Sequence, residues 1–323
     1  LLGGKSVKEV SIDTSGIFAP VVVGSTSDIK EPASGASTPA IDLTATRKSL
    51  YSGVDLSRVH GIIEPPKFYY ADWFCTLDKV TIVSAPPGVG KTYFCLELAM
   101  ALSRGSMFLG RPYAGGEPLR IAYLDMEMGS AVMLHRLKSL VRGLGLTKKE
   151  FPNDNFHMYC QGDGLPDNFD FASHDGQVWL EKMIKEMKPD LIFADPLINL
   201  LGRRIEEKDN RAMNDFFIHC IKRHNTHWLI CHHESKGGEF DITGRRRAVS
   251  QRIRGATSIE GNADRVFSII ARTKSARLVE FGKTRHWTQP EHTYFEFKQN
   301  PDDLEDKQWL RLVPYIPSTR PHK

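Results

Sequence analysis

The chain has 323 residues, enough to bury a full-sized core as one large α/β domain or as two smaller ones. With 41% hydrophobic and 25% charged residues, and no apolar run of the ~18 or more residues that a membrane helix needs, its composition is ordinary for a soluble protein and excludes a membrane-spanning helix. The formal charge of +4 is too mild to separate a nucleic-acid binder from an ordinary enzyme, so the placement of the charges has to carry that distinction.

Cysteines 75, 95, 160, 220 and 231 are scattered without pair spacing, which reads as buried thiols in a reducing compartment. The opening "LLGGKSVKEVSID" lacks the charge-then-apolar order of a signal peptide, so a cytoplasmic or nucleoid-associated protein is expected. The chain starts without methionine, as a processed or excised piece would.

Residues 22 to 50 are rich in Ser, Thr, Ala, Gly and Pro with no sustained apolar period. Residues 1–60 are therefore expected to form a flexible or extended arm, and 61–323 the globular domain. The lead-in "GIIEPPKFYYADWF" is aromatic, but Pro65 and Pro66 argue against a continuous strand. Short apolar strands then alternate with helical periods. Strands are predicted over 79–85, 120–125, 156–160, 190–195 and 227–233, with helices over 91–105, 130–145, 175–187 and 210–223 between them. Strands this apolar, separated by helices, predict an α/β fold with a mostly parallel central sheet covered on both faces. After residue 260 the runs "RVFSIIAR", "ARLVEFGKTR", "HTYFEFKQ" and "QWLRLVP" predict an antiparallel extension at the C-terminal side.

"SAPPGVGKT" (84–92) lies between the first predicted strand and its helix, the context that a phosphate-binding loop demands. In such a loop, backbone amides and the helix N-terminus cradle the phosphates, the lysine reaches the β and γ groups, and the threonine hydroxyl joins the Mg²⁺ shell. Gly88, Val89, Gly90, Lys91, Thr92 and Tyr93 are the expected nucleotide-binding set. Ala85 stands where the motif usually has glycine. It is tolerable if the strand exit keeps to dihedrals open to L-residues, because the closest phosphate contacts come from the later glycines.

The metal needs an acid. "KPDLIFADP" puts Asp195 at the C-terminal end of a buried strand, where its carboxylate can hold Mg²⁺ with Thr92; the bland alternative is a helix-capping aspartate. "YLDMEM" ends the second strand with two acids, of which Glu127 is chosen as the base and Asp125 is a supporting or competing candidate. "ICHHESKGG" ends another strand, and one of His232 and His233 should face the γ-phosphate while the other points away. A metal site built from Cys231, His232 and His233 is disfavoured because adjacent strand residues alternate faces.

Two basic loops leave the same end of the sheet. "GRRIEEKDN" carries Arg203 and Arg204, and "SKGGEFDITGRRRAVSQRIRGATS" (235–258) carries Lys236, Arg245, Arg246, Arg247, Arg252 and Arg254. These are the candidate nucleic-acid contacts, to the backbone rather than to bases, since the lone Phe240 is not the aromatic interleaving that base stacking needs. A solvated charged loop is the bland alternative. "FGKTRHW" adds Lys283 and Arg285, two apart, groups able to stabilise the charge of phosphoryl transfer.

Taken together, Lys91 and Thr92, Glu127 in "YLDMEM", Asp195, "HHESKGG" and "GKTRHW" resemble the RecA-fold hexameric ATPases, and most closely the RepA-type replicative DNA helicases of plasmids and phages. The resemblance spans roughly residues 65–300 and includes "MLHRLKSLVRGLG" and "RIRGATSIEGNADRVFSI". It implies a RecA-like P-loop NTPase that binds ATP and Mg²⁺, with Glu127 as catalytic base, Asp195 as the Walker B acid and His233 as sensor. It further implies that Lys283 and Arg285 reach a neighbouring subunit's nucleotide, and that the loops after Asp195 and His233 line a channel holding single-stranded DNA. Ala85, the arginine-rich loop and the 1–60 arm depart from the family pattern; the arm could wrap a neighbour, link to a primase-like domain or be disordered. The expected function is an ATP-driven hexameric ring motor on single-stranded DNA. Alternatives are a recombinase-like or loader ATPase, or a nucleotide-gated DNA-binding module.

Overall fold

Successive residues of a strand point to opposite faces, so the nearly continuous apolar run of each central strand puts it between two apolar layers, and that division organises the molecule. The structure, a computed structural model, describes residues 67–317 except 71, 72, 75, 77, 167, 168, 203, 204, 207, 235–242, 246, 254, 256, 287 and 301–308. On β1 (Val80–Ala85), Val80 and Ile82 enter one core while Val83 and Ala85 enter the other. β2 (Ile121–Asp125) and β5 (Leu191–Asp195) divide in the same way, with Tyr123 and Phe193 stacked on one face and Leu124 and Ala194 on the other.

α1 (Lys91–Arg104) and α2 (Ser130–Gly143) cover the first face. The other face is covered by α3 (His174–Met187), α4 (Leu197–Leu200), α5 (Asn210–Phe216) and a π-helical turn over Phe217–Lys222. The sequence predicts one helix over 210–223; the chain instead changes to π geometry midway, which turns Phe217 and Ile221 into the core. The remaining strands are β3 (Phe156–Gln161), β4 (Gly164–Leu165), β6 (His227–His233), β7 (Arg265–Ala271), β8 (Ala276–Thr284), β9 (Thr293–Gln299) and β10 (Leu310–Pro314). Two further short helices that the sequence does not predict, α6 (Val249–Arg252) and α7 (Thr257–Asn262), lie between β6 and β7.

The ten strands form one sheet in the order β10-β9-β8-β7-β1-β6-β5-β2-β3-β4. From β7 across to β4 all neighbours are parallel, and β8, β9 and β10 add the antiparallel side. β6 therefore sits between the phosphate-loop strand β1 and the Asp195 strand β5, so the C-terminal ends of β1, β6, β5 and β2 stand side by side. Ligands of open α/β sheets bind at that edge. No helix among the described residues is long and apolar enough to cross a membrane.

Candidate nucleotide-binding site

β1 ends at Ala85, whose extended backbone suits any L-residue and explains why glycine is dispensable there. Glycine is required further on. Gly88 and Gly90 have φ of 76° and 99°, and a Cβ on Gly90 would collide with the Phe297 ring. Gly90 caps α1, so Lys91 and Thr92 open the helix with its free amides facing the cavity.

Lys91, Thr92 and Asp195 meet where the sequence places them. Lys91 Nζ lies 3.8 Å from Asp195 Oδ1 and donates to the His232 carbonyl at 3.3 Å. The Thr92 hydroxyl donates to Asp195 Oδ2 at 2.9 Å, and the Tyr123 hydroxyl donates to the same oxygen at 3.2 Å. Burial and the Asp195 charge both push the Tyr123 phenol well above its ordinary range, so it remains a donor. A hydroxyl and a carboxylate side by side at the mouth of a phosphate loop are oxygen donors of the kind Mg²⁺ takes, with room left for phosphate oxygens and water. The pair fits the metal.

The two acids of "YLDMEM" separate. Asp125 is buried and accepts from the Met128 and Gly129 amides at 3.2 and 2.8 Å, which shapes the turn before α2. Burial, with Asp125 beside it, pushes the Cys160 thiol up to about 12. Glu127 instead is exposed and lines the cavity. His233 lines it as well, in register with Ala85, whereas His232 is fully buried on the opposite side of the strand.

The cavity encloses about 750 Å³, and its far wall was not legible in the sequence. Arg277 on β8 donates from Nε to the Val89 carbonyl at 2.7 Å, and its guanidinium lies 5.1 Å from the Phe297 ring centroid. Lys274 and Lys298 stand beside it, and Arg136 from α2 covers Tyr93 at 5.3 Å. With Lys91, five cations face three carboxylates, so the cavity attracts polyanions. Only the antiparallel strands folding back over the phosphate loop reveal Arg277, which lies 188 positions from its partner Val89.

Lys283 and Arg285 are brought together, but not at this cavity. Arg265, at the start of β7, pairs with Thr284, and β7 runs parallel to β1, so both cations sit at the sheet end opposite their own phosphate loop. Lys283 donates to the Glu260 and Gly261 carbonyls, and Arg285 to the Gly261 carbonyl and to Asp264 at 3.0 Å.

Of the expected nucleic-acid contacts, Arg203, Arg204, Lys236, Arg246 and Arg254 lie outside the described residues. Arg245 is exposed and Arg247 half-buried. Arg252 is a correction. Its side chain is 0% exposed and is paired to Glu280 at 2.6 Å and Glu234 at 3.6 Å, so it is part of the interior and presents no charge to a ligand at the surface.

Residues 45–239 match the protein family described as AAA domain, a span of more than half the chain. The chain belongs to that AAA domain family. The match begins within the segment read as an arm and covers the phosphate loop, Glu127, Asp195 and His233. With β6 inserted between β1 and β5, this AAA-domain protein has a RecA-like P-loop NTPase fold, and the family together with its site makes it an ATPase. Comparison with curated proteins gave no match. Among solved structures, one ATPase domain is similar over 68% of this chain and 81% of its own, at 14% identity and a TM-score of 0.47.

Proposed function

We propose that this ATPase is a ring-forming motor, hexameric when assembled, that uses ATP and Mg²⁺ to move along single-stranded DNA, the work of a replicative helicase. The observation that carries the reading is the convergence of Lys91, Thr92 and Asp195 under a cavity that also receives Glu127 and His233. In this reading the amides of Gly88 to Thr92 and the Lys91 ammonium hold the phosphates, and Glu127 orients and deprotonates the attacking water. Bound Mg²⁺, held by Thr92 and Asp195, would neutralise the β- and γ-phosphate charge. In this reading His233, which lines the cavity, senses loss of the last phosphate.

Support for a ring comes from Lys283 and Arg285, which their own nucleotide cannot engage from the far end of the sheet; a neighbouring subunit's nucleotide is the available target. Support for DNA comes from Arg245 and Arg247 in the segment that follows His233. Residues 1–60 are proposed as an arm separate from the ATPase domain of 61–323, available to a primase or another replication protein. The test is the rate of ATP hydrolysis with and without single-stranded DNA, alongside the mass of the assembly. A monomer whose turnover ignores DNA would reject the proposal.

A further inference from the structure

Directly after His233, a buried carboxylate gathers several strands. Glu234 accepts from the Ser84 hydroxyl at 3.0 Å and from the Ser268 hydroxyl, and its amide donates to the Ala85 carbonyl at 3.1 Å. Ser84 and Ala85 are the last residues before the phosphate loop. The same carboxylate lies 3.6 Å from Nε of Arg252, the last residue of α6, and Glu234 bridges in antiparallel fashion to Ile253. Residues 234 and 253 thus meet at one point, and Arg245 and Arg247 lie between them in sequence. α6 is also held against β8, where a Cβ on Gly282 would come within 2.7 Å of the Val249 Cβ.

We infer that the Glu234–Arg252 ion pair is a positioning device that couples an anion held on Arg245 and Arg247 to the phosphate loop and His233. The choice of anion, DNA phosphate, rests on the function proposed above. Arg252 leads directly from the arginine run, while Glu234 is fastened to β1 and follows His233, so the pair joins the two sites through a buried side-chain contact beside the Glu234–Ile253 bridge. A guanidinium with no exposed surface cannot shift from its carboxylates without leaving buried charge unpaired, so motion of α6 moves Glu234 with it. Glu280, 2.6 Å from Arg252 Nη2, already neutralises the guanidinium charge. The second acid, tied to both serines, is what reaches the nucleotide. Coupling is reciprocal, so nucleotide must also alter the surroundings of Arg245 and Arg247.

The experiment uses the full chain, with tryptic cleavage after Arg245 and Arg247 followed by mass spectrometry, with and without a saturating non-hydrolysable ATP analogue and MgCl₂. Analogue binding and thermal melting are measured in parallel. In the wild type the analogue should change the cleavage rate at least about fivefold; Glu234→Gln and Arg252→Gln should bring that below about twofold, and Glu280→Gln should retain it. If Arg252→Gln does not fold, Glu234→Gln decides alone. A wild type indifferent to the analogue, a Glu234→Gln protein that keeps the response, or an equal loss in Glu280→Gln would each overturn the inference. A Glu234-dependent response in a chain that binds no single-stranded oligonucleotide would uphold the coupling and overturn only the DNA reading.

Discussion

The hydroxyl of Thr92 stands 2.9 Å from Asp195 Oδ2, joining the first turn of α1 to the end of β5 across 103 positions of sequence. Two side chains from separate elements meet there because parallel packing aligns all strand ends at one edge. If they hold the metal together, Asp195→Asn should raise the Mg²⁺ concentration for half-maximal hydrolysis by roughly 10-fold or more. A Mg²⁺ titration superimposable on the wild type would remove Asp195 from the metal site. Lys91→Ala should abolish turnover.

Glu127 and Asp125 should fail in different ways. Glu127→Gln is expected to lower kcat by about 10²–10⁴ while nucleotide affinity holds, since the side chain is exposed and faces the cavity. Asp125→Asn exchanges an acceptor of two amides for one with a single carbonyl, costing about 1–3 kcal/mol of stability. Single-turnover kinetics and thermal melts on both variants separate the roles; equal loss of kcat would leave the choice of base unsupported.

Arg285→Ala should leave nucleotide binding by isolated subunits intact and depress hydrolysis by the assembled protein, by up to roughly 10³-fold if the guanidinium acts across an interface. Mixing Arg285→Ala subunits with Lys91→Ala subunits should then restore part of the turnover. Undiminished turnover by assembled Arg285→Ala protein would return the residue to its local pairing with Asp264.

Neutralising Arg245, Arg246 and Arg247 together should weaken single-stranded DNA binding and flatten its dependence on salt by about 0.7 for each phosphate no longer neutralised. Arg252→Gln should not change that slope, because its guanidinium is buried. Fluorescence anisotropy across a salt series reads both.

Burial holds the Glu97 carboxyl up to about 8, only partly offset by the Leu312 amide that donates to it at 2.8 Å. The folded chain keeps a proton that the unfolded chain releases above its ordinary carboxylate value of 4.5. Stability from this group is therefore complete below about pH 4.5 and is lost as pH rises through about 8. Glu97→Gln, which can still accept from Leu312, should raise the melting temperature relative to wild type at about pH 8 and by much less at about pH 5. Parallel melting curves at both would show that Glu97 is not protonated in the fold.

Much of the fold and part of the site are legible in the sequence because their determinants are local. An apolar strand, a glycine turn and a helix start are adjacent along the chain, so the phosphate loop declares itself, and acids at or just past a strand end, such as Asp195 and Glu127, follow from knowing where each strand stops. Uniformly apolar strands also announce a sheet covered on both faces. α6 and α7 escape such a reading because each has too few residues for a helical period to register.

By itself the sequence determined which groups are available to grip a triphosphate and which of them stand at or just past a strand end, since both follow from neighbours along the chain. Tertiary structure decided what each long side chain meets. It sent Arg252 into the interior between two carboxylates, turned Asp125 inward and left Glu127 out, and folded Arg277 and Phe297 over the phosphate loop. An arginine reads the same in sequence whether it ends in water or in a buried ion pair. Only the packing around it sets the dielectric and the partners that give its charge a role.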